Sequence, residues 1–162
     1  MTLKNNARIA GITFLLYIAI GISSMVLNGQ VTGGADGTAE KLASIAQHAS
    51  LVGVDIVLSL LVALCALVLA VTLYALTRDQ DPDLAMLALC CRLSEGAIIT
   101  AISTLLTLGL LSVATTSTAA AGADSAAATN ALGALLLKMG GWTPIIPATC
   151  FAVGSTLFSY LF

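Results

Sequence analysis

Three side chains carry charge within long apolar runs, and their types and spacing bear most directly on chemistry: Asp55, Arg92 and Glu95. An ion near the centre of a bilayer costs about 2.5–3.5 kcal/mol on insertion scales, so each of these groups needs a partner or a function. Arg92 and Glu95 are three positions apart. On a helix that spacing sets them side by side on one face, so the first partner of each is the other. Two roles are open to such a set: a closed pair that fixes helix register, or a polar site for a substrate, ion or proton. Asp55 stands about one turn inside its run, either solvated at the interface or turned inward to meet a cation.

The remaining reactive types offer less. His48 has no second ligand nearby in sequence and belongs to the polar face of a short amphipathic stretch. Cys65, Cys90, Cys91 and Cys150 lie in apolar runs without C-x-x-C or H-x-x-x-H spacing, where thiols behave as small hydrophobes. Adjacent Cys90 and Cys91 point about 100° apart on a helix, which argues against a bond between them. The glycines of Asn28 to Gly37 are followed by no Gly-Lys-Ser/Thr and read as loop, not as a phosphate cradle. The acids of Thr77 to Asp83 lack the glycine and distal glutamate of a calcium loop and read as a solvated hairpin. With no nucleophile beside a base and no H-E-x-x-H, no catalytic, cofactor-binding or metal residue is assigned. The chain is expected to be no enzyme and to carry no cofactor, an intramembrane enzyme being the weaker alternative.

The elements that must position Asp55, Arg92 and Glu95 follow from composition. The chain has 162 residues, 59% hydrophobic and 9% charged, with a mean hydropathy of +1.04. A soluble domain carries about 25% charged residues, so this chain falls in the membrane class. A net charge of −2 and the absence of a basic run give no support for a nucleic-acid partner.

Four apolar runs predict spans at about 9–27, 51–76, 84–113 and 142–162. The first is about 28 Å long, close to the hydrocarbon thickness and longer than the core of a signal peptide. The expected fold is therefore all-α: a polytopic transmembrane helix bundle, one domain over 1–162, with short amphipathic or interfacial helices added. Residues 38–50 alternate as an amphipathic helix with Thr38 as its N-cap. Pro82 stops a helix, and Asp81 or Asp83 is available to cap the next. Ala114 to Asn130 reads as a low-complexity connector and 131–139 as an interfacial helix leading to Trp142. Pro147 predicts a kink or distorted first turns. Small-xxx-small pairs such as Ala66/Ala70 and Ser155/Ser159 permit close helix contact. Lys4, Arg8 and Arg78 against Lys41 and Lys138 favour a cytoplasmic N-terminus in a multi-pass plasma-membrane protein.

Arg8, Ala10 and Gly11, then Gly53 and Asp55, then Leu73, Tyr74 and Leu76 mark the entries and exits of the first two spans. Leu84, Ala85, Arg92 and Glu95 in the third span and Phe151 and Gly154 in the fourth continue the pattern. In these residues the chain resembles bacterial membrane proteins of the domain of unknown function 4386 family, over nearly its whole length. The resemblance implies an integral membrane protein with no assigned reaction. It also implies members that continue into a basic, proline-containing loop and further spans, so a truncated or shortened member is expected here.

Two functions are weighed on this basis. The first is a membrane-embedded structural or regulatory protein with a buried Arg92/Glu95 pair. The second is a small transporter, or a small-ligand or proton-binding protein, using Asp55, Arg92 and Glu95. The expected partners are the lipid bilayer and either a second copy of the chain or another membrane protein; no small-molecule ligand is specified.

Overall fold

The computed structural model describes residues 3–117 and 123–162. All the described elements are helical: α1 (Leu3–Thr32), α2 (Thr38–Gln47), α3 (Ala49–Thr77), α4 (Pro82–Leu93), a π turn (Ser94–Ile99), α5 (Thr100–Ser117), α6 (Ala123–Trp142) and α7 (Ile145–Leu161). Among the described residues four stretches are long and apolar enough to cross a membrane: Lys4–Thr32, Ala49–Thr77, Pro82–Thr116 and Ala126–Leu161. Their outer surfaces are apolar, with Leu15 69%, Met25 78% and Leu105 68% exposed. A surface so rich in large apolar side chains suits hydrocarbon rather than water.

α1 and α3 form the most extensive pairing, and α4 lies between α3 and α7. The buried positions along these contacts are mostly small: Ala66 and Ala70 on α3, Ala85 and Ala88 on α4, Gly154 on α7. Small residues let helix backbones approach closely where lipid supplies no hydrophobic drive for association. A Cβ added at Gly154 would stand 3.2 Å from the Cβ of Cys91 and 3.5 Å from the carbonyl oxygen of Ala88, so glycine sets how near α7 comes to α4.

α2 buries Leu42 and Ile45 while Glu40 stays exposed and Lys41 is half-buried. Leu42 and Ile45 join Val31, Val52 and Ala114 in one apolar cluster, so α2 lies over the end of the bundle where α1 finishes and α3 begins. Thr38 is the first residue of α2 rather than its cap; Gly37 holds the cap position, with no side-chain cap bond. Glu40 instead accepts from the Asp36 amide at 3.0 Å. At the opposite end Asp81 caps α4, accepting from the amides of Asp83 and Leu84, and Pro82 opens the helix where its missing N–H costs nothing.

Several boundaries differ from the sequence expectation. α1 extends past 9–27 at both ends. The third span is not one regular helix but α4 and α5 joined by the π turn, a feature that hydropathy does not report. The expected connector and the 131–139 interfacial helix are largely replaced: α5 runs to Ser117 and α6 from Ala123, with residues 118–122 outside those described. Alanine is the best helix former, and an alanine-rich segment packed on α5 and α2 is held as helix without a strong apolar pattern of its own. The last span breaks at Thr143 and Pro144, not at Pro147, which falls in the first turn of α7, where a helix tolerates proline.

Candidate functional site

Arg92 closes α4 and Glu95 lies in the first turn of the π segment. A π turn carries one extra residue per turn and so re-aims the side chains on either side of it. It is also where the third span meets the second: a Cβ at Gly96 would collide with the Cβ of Ala66. With no side chain at Gly96, the π turn sits directly on α3.

The two ions are bonded to each other. Arg92 donates from Nη1 to Glu95 Oε2 at 2.9 Å, and both side chains are 5% exposed. Nη2 donates to Ser155 Oγ of α7 at 3.0 Å, and Tyr17 of α1 donates its hydroxyl to Glu95 Oε1 at 2.8 Å. Both carboxylate oxygens therefore have donors, and the guanidinium lies over the Phe151 ring at 4.4 Å from its centroid. Among the described residues one buried atom is left over: Arg92 Nε has no hydrogen-bond partner. Opposite charges in contact make the cluster neutral overall. Its four members and Phe151 come from the first, third and fourth spans.

Asp55 is not part of this cluster. It accepts a hydrogen bond from Ser24 Oγ of α1 and lies about 16 Å along α3 from Ala66, where the π turn makes contact. The three ions chosen from the sequence thus divide into a pair and a single residue. Asp55 borders a cavity of about 420 Å³ among α1, α3, α5, α6 and α7. His48 bonds only locally among the described residues, its Nδ1 2.9 Å from the carbonyl oxygen of Ser44. All four cysteines are free thiols.

Tyr17 and Ser155 escaped the sequence reading as site residues. For Tyr17 a signal existed: a phenol inside an apolar span needs a partner for its hydroxyl. Ser155 was legible only as a small residue at a helix contact, because a serine can satisfy itself on its own helix.

An all-α bundle with four long apolar helices and a polar cluster enclosed between them fits a membrane protein. The model of the family described as Domain of unknown function (DUF4386) matches residues 9–162, and the chain belongs to that family. Comparisons with curated proteins and with solved structures gave no match.

Proposed function

We propose that the chain is a membrane-embedded structural or regulatory protein without enzymatic activity, in which the Arg92–Glu95 cluster fixes the register of the spans. The observation that carries this reading is the closure of the pair: Arg92 and Glu95 have only 5% of their side chains exposed, and each is held by a residue of another span. Fixed and neutral, with a donor already on each carboxylate oxygen, such a cluster is built to hold its own members rather than a proton relay or a substrate. The bonds from Tyr17 and to Ser155 also stitch the third span to the first and the fourth.

The proposed setting is the plasma membrane of a bacterium, multi-pass, with the N-terminus and the 78–81 hairpin on the cytoplasmic side, as the distribution of basic residues favours. The proposed partners are lipid and either a second copy or another membrane protein, which would lie on the apolar outer faces.

A flux measurement tests the reading. In vesicles carrying a pH-sensitive dye, with a potassium diffusion potential as the driving force, wild-type protein and Glu95→Gln are both expected to leave proton entry at the rate of empty vesicles. Protein-dependent proton flux that Glu95→Gln abolishes would overturn it.

A further inference from the structure

The cavity beside Asp55 plays no part in the Arg92–Glu95 cluster, and its lining has a definite chemical character. Ser24 and Asn28 reach it from α1, Asp55 and Ser59 from α3, Ser103 and Thr107 from α5. Its far wall is the break between α6 and α7, at Gly140, Thr143, Pro144 and Pro147. At about 420 Å³ it falls within the size range of small-molecule sites, and its polar groups stand among apolar walls that include Leu106, Leu110, Leu136 and Leu137.

The polar atoms present acceptors. Asp55 is an ion without a counter-ion: no Lys or Arg nitrogen lies within ion-pair distance among the described residues. Three hydroxyls at the cavity spend their protons on their own helices: Thr32 on the Asn28 carbonyl, Thr107 on the Ser103 carbonyl and Thr143 on the Met139 carbonyl. That leaves oxygen lone pairs for a guest. Pro147 has no N–H to offer the Thr143 carbonyl one turn before it, so the break adds a backbone acceptor at the same place, while the Gly140 carbonyl accepts from the Thr143 amide at 3.3 Å. Unwound backbone between half-helices is tolerated at membrane depth where it borders a polar cavity, and carbonyls there hold cations.

We propose that this cavity binds a small organic cation through its ammonium group, with Asp55 as the counter-ion and the surrounding hydroxyl and carbonyl oxygens as acceptors. A bare metal ion would satisfy the charge but leave most of the volume unused. An ammonium group has three donors and no acceptor, which suits the Asp55 carboxylate and the hydroxyl lone pairs of this lining.

Thermal unfolding in a neutral detergent tests the proposal, with ethylammonium chloride and sodium chloride as separate probes. Wild-type protein should show a saturable rise in Tm with ethylammonium, about 5–10 °C at a hundred times the half-saturating concentration. Asp55→Asn should abolish the rise. Ser103→Leu should abolish it too, by filling the cavity from the facing helix while leaving Asp55 and its bond to Ser24 in place, which keeps the test decisive if Asp55→Asn folds poorly. A response to sodium alone would overturn the organic assignment. No saturable rise, or the same rise in wild type and Ser103→Leu, would overturn the site.

Discussion

Tyr17 and Glu95, 78 positions apart in sequence, meet at 2.8 Å, and through this bond the first span is tied to the ion pair of the third. Each partner explains the other. A phenol within an apolar helix needs an acceptor, and a carboxylate whose second oxygen is held by Arg92 needs a donor for the first. The expected consequence of Tyr17→Phe is a loss of about 1–2 kcal/mol, the range for a hydrogen bond between helices to a charged group. Measured as thermal unfolding in detergent, that is a fall of roughly 2–8 °C. An unchanged Tm would mean that the Tyr17 bond contributes nothing to the bundle.

The ion pair itself predicts a sharper asymmetry. Arg92→Ala leaves Glu95 buried without its cation, at a cost of about 3–5 kcal/mol. Replacing both, Arg92→Met with Glu95→Leu, removes the need for compensation. It leaves Ser155 to bond its own helix and Tyr17 alone without an acceptor. The double variant should therefore unfold at a clearly higher temperature than Arg92→Ala, and below or near wild type. Equal Tm values for Arg92→Ala and wild type would show that the pair does not fix the spans.

The contact of the π turn with α3 yields a packing prediction. Gly96→Ala places a methyl group against Ala66, and overpacking of this kind costs about 1–3 kcal/mol. Ala66→Gly in the same chain makes room, less the cost of about 1 kcal/mol for a glycine within a helix. The double variant should be closer to wild type than Gly96→Ala in unfolding temperature. Should Gly96→Ala match wild type, the close approach at this point would be wrong.

The sequence made the class of fold and the pairing of Arg92 with Glu95 legible for physical reasons that act locally. Apolar length reports a span, and a spacing of three reports neighbours on one helical face. Whatever depends on other helices was not legible. Asp55 gave no sign of choosing Ser24, because hydroxyl partners within alanine-rich spans are too numerous to rank. The π turn brings Gly96 onto Ala66, and neither residue alone signals that contact. The helix from Ala123 to Trp142 looked like connector because its alanines carry propensity without pattern, and tertiary contact with α2 and α5 supplied what pattern lacked.

Because α1 and α3 run antiparallel, Lys4, Arg8 and the 78–81 hairpin with Arg78 lie at one end, while α2 with Lys41 covers the other. Lys138 stacks on Trp142 at 5.5 Å, an arrangement suited to a headgroup boundary, and the α6 end that holds it borders the same cavity as Asn28 and Thr32 near the α2 end. Basic residues near span ends are retained on the cytoplasmic side, so the α1 N-terminus should face inward and α2 outward. Single cysteines in a cysteine-free background read this directly: Gly37→Cys, where an added Cβ meets open space, and Gln80→Cys in the exposed hairpin. A membrane-impermeant maleimide added to intact cells should label Gly37→Cys and spare Gln80→Cys until the membrane is opened. The reverse pattern would invert the protein and would place the Asp55 cavity on the cytoplasmic side.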